Sequence, residues 1–260
     1  MMEIIFLGTG DAFSKQYYQT NLLLRFNDTN LLIDCGSTCS TSLYHLGIPL
    51  GEIQNVFISH LHSDHIGGLE ELALQNRYVF RKKVNLFIAE NLAQDIWDCC
   101  LRGGLEYTED GLATLDDYFN VYPVAMQFTI ADRMFEIIPT MHIRDMKTYG
   151  LYFNRIFYTD DTIFNEPMLL QMDPRCDLII HDCTFKENPV HTYFDSLASL
   201  PEEIRKKIYI THYNDKSEMM RAKTKQYGIR CAEKHMCIKI HEKEDGTWEV
   251  AEMMLKSRSL

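Results

Sequence analysis

A short stretch of the sequence, VFISHLHSDHIGG at residues 56–68, concentrates side chains that bind metals. Within six residues it places three histidines and one aspartate, namely His60, His62, Asp64 and His65. His60 and His62 stand two positions apart at the end of an apolar run, so on a strand both point to the same side. Asp64 and His65 follow in a turn that leads into a helical pattern. Because one ion cannot easily take four ligands from so tight a loop, the spacing predicts two metal ions side by side.

Imidazole nitrogens and carboxylate oxygens are ligands that suit Zn²⁺, and Mn²⁺ or iron also accept them. Two such ions lower the pKa of a shared water toward neutrality and clamp an oxygen of a substrate. The stretch therefore predicts a hydrolase that makes hydroxide available at neutral pH without a strongly basic side chain.

The composition limits the partners of the protein. With 26 basic and 37 acidic side chains among 260 residues, the net charge is −11, which opposes stable binding to nucleic acid or to an anionic membrane. The sequence has no run of about 18 apolar residues and no basic leader, so we expect a cytoplasmic protein without a membrane partner. Eight cysteines without a CxxC pair indicate reduced thiols.

A second group of possible ligands lies near the end of the sequence, at Cys231, His235, Cys237 and His241. Its spacing is similar to that of a zinc knuckle. The alternating pattern of MCIKIHE predicts a strand, however, which puts Cys237 and His241 on one face and leaves the other two elsewhere. We therefore expect these side chains to be structural.

Strand and helix patterns alternate along the chain and must position these side chains. EIIFLG, NVFIS, VNLFIA, RMFEIIP, GLYF, RIFYT and DLIIH are typical of strands, and NLLLRF and LLIDCG of a hairpin. SLYHLG, GGLEELALQNRYVF and SEMMRAKTKQYG have helical spacing, and residues 91–120 are predicted to be mainly helical and then loop-like. The tail is predicted to form a strand, an Asp-Gly turn and a strand. Residues 1–260 are expected to form one α/β domain of two packed sheets with helices outside.

HLHSDH matches the HxHxDH signature of the metallo-β-lactamase superfamily, which the sequence resembles over nearly its whole length. The resemblance implies a four-layer αββα sandwich. It also implies further metal ligands at His142 in PTMHIRD, at Asp161 in FYTDDT and at His212 in IYITHYND. Asp160 stands where glycine is usual, and aligning the threonines of this motif selects Asp161 as the family's aspartate.

The resemblance divides the ligands between two Zn²⁺ ions per chain, with Mn²⁺ as the other candidate. One ion is expected to take three histidines and the other a mixed set, with a carboxylate bridging the two. The two sets are His60, His62 and His142, and Asp64, His65 and His212, with Asp161 between them. Asp64 is also expected to take part in catalysis.

Three further motifs resemble the ribonuclease Z group of this superfamily. FLGTGDAF is similar to the start of that group, and LIIHDCTF at residues 178–185 is similar to its HEAT-type motif. The second similarity implies that His181 and Asp182 form a catalytic couple that passes a proton to a leaving oxygen. His191, in VHTYF, falls where the group has a further histidine, and we expect it to contact the substrate.

Features absent from the sequence favour a small substrate. The tRNA-processing members grip tRNA with a long arm, whereas only 19 positions lead from His142 to Asp161 here. Their GEGTQ-like segment is replaced by CGSTCST, and the net charge is negative. The sequence most resembles the compact anti-Pycsar phosphodiesterases. That resemblance implies hydrolysis of cAMP, cGMP, cCMP and cUMP to linear nucleoside monophosphates, which counteracts antiphage signalling, in the host cytoplasm if the protein is phage-encoded.

Two alternative functions stay open. The first is a ribonuclease Z-type endonuclease that processes the 3′ end of tRNA. The second is a nucleotide-binding module without catalysis, of which the loss of one or two ligands would be the usual sign, and none is missing.

Two segments are expected to act around the site. Phe13, Tyr17 and Tyr18 follow the GTGD loop, and their rings could stack on a nucleobase without reading its edges. Residues 98–119 mix aromatic and acidic side chains with glycines. We expect this segment to form a lid or a dimer contact, since relatives are commonly homodimers.

Overall fold

The computed structural model describes residues 1–242 and 248–257. Strands dominate its framework. In chain order they are β1 (Met2–Gly8), β2 (Asn21–Phe26), β3 (Thr29–Ile33), β4 (Asn55–Ile58), β5 (Val84–Ala89), β6 (Tyr107–Thr108), β7 (Gly111–Leu112), β8 (Phe119–Val124), β9 (Gln127–Ile130), β10 (Arg133–Thr140), β11 (Thr148–Phe153), β12 (Ile156–Tyr158), β13 (Leu178–Asp182), β14 (Ile208–Thr211), β15 (Arg230–Cys231), β16 (Met236–Glu242) and β17 (Trp248–Met254).

Short helices connect the strands. They are α1 (Cys39–Leu46), α2 (Ser63–Ile66), α3 (Leu69–Leu74), α4 (Arg102–Leu105), α5 (Leu115–Tyr118), α6 (Glu166–Met172), α7 (Phe194–Ala198), α8 (Glu202–Arg205) and α9 (Glu218–Thr224). Wider π-helical turns span Gln75–Val79 and Ile96–Leu101, and 3₁₀ turns span Leu50–Glu52, Asp173–Arg175 and Lys225–Tyr227. The helical pattern of SLYHLG is confirmed as α1, which ends where Gly47 adopts the left-handed conformation (φ 71°) that ends many helices.

The strands form two large sheets and one small hairpin. The first sheet has the order β17-β16-β1-β2-β3-β4-β5-β8, and the second has the order β15-β14-β13-β12-β11-β10-β9. In each sheet one half is antiparallel and the other is parallel: β3, β4, β5 and β8 run parallel in the first, and β12 to β15 in the second. The carboxyl ends of parallel strands meet at one edge, where α/β proteins commonly build their sites.

The two sheets pack face to face through aromatic side chains. The rings of Phe26 on β2 and Phe135 on β10 have centroids 5.8 Å apart, as do those of Phe57 on β4 and Phe128 on β9. These contacts join one sheet to the other and explain why the sandwich closes.

Helices cover the outer faces of the sheets. Neighbouring residues of β13 belong to different hydrophobic clusters, Ile180 to the large central one and Ile179 to a second one. That second cluster also contains Leu169 of α6, Leu197 of α7 and Ile204 of α8. Since alternate residues of a strand point to opposite faces, these helices lie outside the second sheet. The predicted four-layer αββα arrangement is confirmed.

A ladder of asparagine amides fixes the register of the parallel strands in the first sheet. The side chain of Asn120 on β8 donates to Asn85 Oδ1 (3.0 Å), and that of Asn85 on β5 donates to Asn55 Oδ1 (2.9 Å). Asn55 on β4 donates in turn to the backbone oxygen of Asn30 (2.6 Å). Amide side chains in register across strands bind each other like the backbone, so the carboxyl ends of these strands are also aligned.

Some predicted elements differ from the structure. Residues 91–120 contain the hairpin of β6 and β7 and the start of the strand β8, which the prediction missed, and β9 was missed as well. Tertiary pairing overrides local propensity here, because β8 gains a full parallel ladder with β5. The predicted Asp-Gly turn of the tail, at residues 245–246, lies outside the described residues.

The second group of possible ligands is spread over two sheets. Cys231 lies on β15 of the second sheet, and Cys237 lies on β16 of the first, paired with Ile5. His235 has hydrogen-bond partners of its own, Ser42 Oγ at 3.0 Å and Ser257 Oγ at 2.9 Å.

Within the ranges given above, no helix is long and apolar enough to cross a membrane.

Replacing Phe135 by alanine should test the closure of the sandwich. The ring is fully buried and lies 5.1 Å from Phe128 and 5.4 Å from Phe153 by their centroids. We expect Phe135→Ala to lower the free energy of unfolding by about 3–5 kcal/mol in chemical denaturation. Met134→Ala, at a neighbouring side chain that is 54% exposed, should change it by less than about 0.5 kcal/mol. Equal effects of the two substitutions would contradict this packing.

Candidate metal centre

The candidate site lies between the two sheets, where their parallel strands end. His60 follows β4 of the first sheet by two residues, while Asp161 and His212 follow β12 and β14 of the second. Asp64 and His65 lie on the single turn of α2, directly after the β4 loop. The fold therefore brings together side chains that are up to 152 positions apart in the sequence, from His60 to His212.

Four groups of potential ligands lie in this region, and the two that correspond to the predicted sets meet at one carboxylate. Within each group, the ligand atoms lie within 4.8 Å of one another. The first group is His60, His62, His142 and Asp161, and the second is Asp64, His65, Asp161 and His212. Asp161 belongs to both, which is the position that the sequence analysis expected for it.

Several buried nitrogens at the centre of the site have no hydrogen-bond partner among the described residues. They are His65 Nε2 and both ring nitrogens of His212. His65 Nε2 lies 3.3 Å from Asp64 Oδ2 and 3.4 Å from Asp161 Oδ2. His212 Nε2 lies 3.3 Å from the same Asp161 oxygen. These imidazole nitrogens face carboxylate oxygens but donate no hydrogen bond to them. This is the arrangement that a divalent cation between the two kinds of ligand would require.

In three histidines, Nδ1 contacts a group that lies outside the centre. His142 Nδ1 donates to the backbone oxygen of Val190 at 2.7 Å. His65 Nδ1 lies 2.8 Å from Asp34 Oδ2, and His60 Nδ1 lies 3.0 Å from Asp160 Oδ2. Such contacts fix the orientation of each ring and turn Nε2 toward the centre, as in many metal sites.

Asp34 is a site residue that the sequence analysis missed. It directly follows β3 and is fully buried, and its left-handed backbone (φ 61°) turns the carboxylate toward His65. The same carboxylate accepts 2.9 Å hydrogen bonds from the backbone amide and the hydroxyl of Ser59, which anchors the β4 loop. An aspartate directly after the apolar run LLI was the signal that could have found it.

The loop after Asp34 passes very close to the ligand turn. A Cβ atom on Gly36 would lie only 1.8 Å from the backbone oxygen of Asp64. Only glycine can occupy this position without moving Asp64, so the CGSTCST segment takes part in placing the site.

Asp160 and Asp161 point in different directions. Asp160 accepts a hydrogen bond from the Tyr158 hydroxyl at 3.0 Å and lies on the outer side of the His60 ring. Its backbone is left-handed (φ 54°), which turns the chain between the two carboxylates. Asp160 thus orients a histidine, while Asp161 faces the shared centre.

Asp182 pairs with His191 rather than with His181. His191 Nδ1 lies 3.0 Å from Asp182 Oδ2, which also accepts the Thr162 amide at 3.0 Å. The ring of His191 lies 4.4 Å from that of His212 by their centroids. His181 turns away, with Nδ1 2.7 Å from the backbone oxygen of Asp182 and Nε2 buried without a partner in the described chain. The expected couple of His181 and Asp182 does not form, because adjacent residues of a strand face opposite sides.

The three aromatic residues after the GTGD loop are placed differently from one another. The ring of Tyr17 is buried and packs edge-on against Tyr213, with centroids 5.2 Å apart. Tyr18 packs beneath the ammonium of Lys234, which lies 4.1 Å from the ring centroid. Only Phe13 among the three is exposed, at 84%.

The electrostatics differ between the two halves of the centre. Burial, reinforced by the neighbouring His60 and His142, lowers the pKa of His62 to about 4. Burial also acts to lower the pKa of His212, but Asp161 and other carboxylates outweigh it and raise this pKa to about 10. The surroundings of His62 thus favour its neutral form, which is the form that binds metals, and the carboxylates around His212 create a negative potential that attracts cations.

Comparisons with known proteins show the family of the chain. The model of the family described as "Anti-Pycsar protein Apyc1" matches residues 2–237. The protein of that name from Paenibacillus xerothermodurans is 37% identical over 232 residues, which cover 86% of this chain and 92% of the relative. The one from Bacillus phage 010DV004 is 36% identical over 234 residues, which cover 84% and 91%.

Solved structures confirm the fold. The metallo-β-lactamase fold protein YhfI from Bacillus subtilis superposes with a TM-score of 0.72 at 16% sequence identity, over 96% of this chain and 99% of that one. At this identity the likeness establishes the metallo-β-lactamase fold alone, and the sequence relatives establish the family. The chain belongs to the anti-Pycsar protein Apyc1 family.

Proposed function

We propose that this protein is a metal-dependent phosphodiesterase that hydrolyses cyclic mononucleotides (cAMP, cGMP, cCMP and cUMP) to linear nucleoside monophosphates. The observation that carries the proposal is the pair of ligand groups that share Asp161 beside the contact between His191 and Asp182. The name of the family, anti-Pycsar, supports a role against cyclic-nucleotide signalling in antiphage defence.

The donor set supports two ions, with Zn²⁺ as the first candidate and Mn²⁺ as the second. His60, His62 and His142 would hold one ion. The other ion would take the remaining ligands of the second group, which are Asp64, His65 and His212, and Asp161 would contact both. When bound, two such ions neutralise the charge of a phosphodiester and lower the pKa of a water molecule, so that hydroxide is available to attack the phosphorus at neutral pH.

Residues of the chain would supply the proton that the leaving ribose oxygen needs. Asp182 holds Nδ1 of His191, so Nε2 would be the nitrogen that serves a substrate. A histidine held in this way can donate a proton to a leaving oxygen. In the second ligand group, His65 and His212 hold the pKa of Asp64 well below its usual range although burial opposes this, so the carboxylate stays ionised.

The size of the substrate follows from what surrounds the centre. The stretch from His142 to Asp161, where tRNA-processing relatives carry an arm, contains only the short strands β11 and β12. The net charge of −11 also disfavours a large polyanion. A cyclic nucleotide needs no distant binding surface, so both features support the small substrate.

The wider organisation belongs to the same proposal. We infer one catalytic domain over residues 1–260, acting in the cytoplasm as a homodimer. The hairpin of β6 and β7 supports a dimer or lid contact, since Tyr107 is 78% exposed and Leu112 is 73% exposed on it. Exposed apolar side chains on a projecting hairpin are typical of contact surfaces.

Incubation with the four cyclic nucleotides and with a 3′-extended precursor tRNA should separate the candidate functions. We expect the wild-type protein to cleave several cyclic nucleotides, and the rate to fall by about 100-fold or more in His60→Ala because an ion loses a ligand. A chelator should abolish the activity. Cleavage of the tRNA with the cyclic nucleotides intact would establish the endonuclease instead, and nucleotide binding without turnover would establish a binding module.

Elemental analysis of purified protein should find about two metal ions per chain. Asp161→Ala should remove much of this metal, because the carboxylate serves both groups. Asp160→Ala should retain more metal, with a loss of affinity of about 10–100-fold, because it acts through the His60 ring. The reverse order of the two variants would show that Asp160 is the shared ligand.

His191→Gln should lower kcat by about 10²–10⁴-fold and leave the metal content unchanged, because His191 acts on a proton rather than on a metal. His241→Gln, at an exposed histidine on β16, is the matched control and should change neither quantity. An unchanged kcat in His191→Gln, or a loss of metal, would exclude this role.

A further inference from the structure

A cavity of about 430 Å³ lies beside the candidate metal centre. Three segments line it, and each is continuous with a part of the site. Phe185 follows Asp182 by three residues, and Asn214 follows His212 by two. The Phe13 loop, defined here as residues 11–17, comes directly after the Gly8–Gly10 turn. This turn is fastened to the residue after β14 by the hydrogen bond from the His212 amide to the Thr9 oxygen at 2.8 Å.

Two carboxylates hold the Phe13 loop in shape. Asp215 accepts hydrogen bonds from three consecutive backbone amides, those of Lys15 (2.7 Å), Gln16 (3.1 Å) and Tyr17 (3.1 Å). Asp11 Oδ1 accepts the amide of Phe13 at 3.1 Å. Because the loop is fastened on both sides of Phe13, the 84% exposure of that ring is a built feature rather than the result of a loose segment.

The cavity offers aromatic surface and positive charge to a flat ligand that carries a phosphate nearby. Phe13 and Phe185 supply aromatic surface. Lys186 and Lys216 also line the cavity and are exposed, and neither ammonium has an ion-pair partner in the described part of the chain. The two carboxylates are already engaged by the loop, and Ser14, Asn214 and Ser217 complete the lining.

We propose that this cavity is the nucleobase subsite, in which Phe13 and Phe185 stack on the base and Asp215 is the positioning residue that holds Phe13. The inference rests on the proposed function. Stacking is available to every base, so purines and pyrimidines are both accepted. Tyr17 and Tyr18, which pack against the protein, do not contribute to it.

Kinetics with and without a base should test the subsite. The substrates are cAMP and methyl ribofuranoside 3′,5′-cyclic phosphate, which has the same ring but no base. We expect Phe13→Ala to raise KM for cAMP about tenfold or more at unchanged kcat, in line with the loss of one stacking contact. The substrate without a base should be cleaved equally by both proteins. Tyr44→Ala, at an exposed aromatic side chain on α1, should match the wild type on both substrates.

A double-mutant cycle should test the role of Asp215. Asp215→Ala should raise KM for cAMP at unchanged kcat, and adding it to Phe13→Ala should cause no further rise, because both changes remove the same contact. Additive effects of the two substitutions would overturn the positioning role.

The outcomes distinguish the two proposals. Wild-type protein that cleaves neither substrate would overturn the proposed function, and this inference with it. Wild-type protein that cleaves both, with KM for cAMP unchanged in Phe13→Ala, would overturn the subsite and leave the function standing. An equal rise in KM for both substrates in Phe13→Ala would also overturn the subsite.

Discussion

The burial of carboxylates between two sheets is the constraint on which the rest of this structure depends. Charged groups removed from water cost a great deal of free energy unless they are paired. Five aspartates are at least 94% buried around the centre, namely Asp34, Asp64, Asp160, Asp161 and Asp182. Three of the five have hydrogen-bonding partners on the protein, which orient the surrounding histidines. Asp64 and Asp161 instead face imidazole nitrogens at 3.3 to 3.6 Å, and cations between them would balance the site.

The fold satisfies this constraint through its parallel strands. β3 and β4 deliver Asp34 and the HLHSDH stretch from one sheet, while β12, β13 and β14 deliver their acids and histidine from the other. The stacked rings between the sheets and the asparagine ladder hold these edges in register. A left-handed backbone conformation then orients individual side chains toward the site. It occurs at Asp34, Asp160 and His212, whose φ angles are 61°, 54° and 63°. Strained conformations of this kind often occur at functional sites.

The sequence predicted the local part of the site better than the distant part. HLHSDH is a compact signal because its four side chains lie within six residues, whereas His142, Asp161 and His212 needed a resemblance to identify them. His181 and His191 show where motif matching ends. Only the strand alternation of β13 decides which neighbour faces the centre, and Asp182 faces it while His181 does not. Asp34 was missed because an acid directly after a hairpin strand is a weak signal, and its role follows only from its contacts with His65 and Ser59.

The proposed function requires two metal ions, one on each side of a shared Asp161, which would balance the buried carboxylates. Anomalous diffraction at the zinc edge, from crystals of protein grown with zinc, measures this most directly. We predict two peaks on either side of the Asp161 carboxylate, one among His60, His62 and His142 and the other among Asp64, His65 and His212. A single peak, or peaks that do not contact Asp161, would contradict the account.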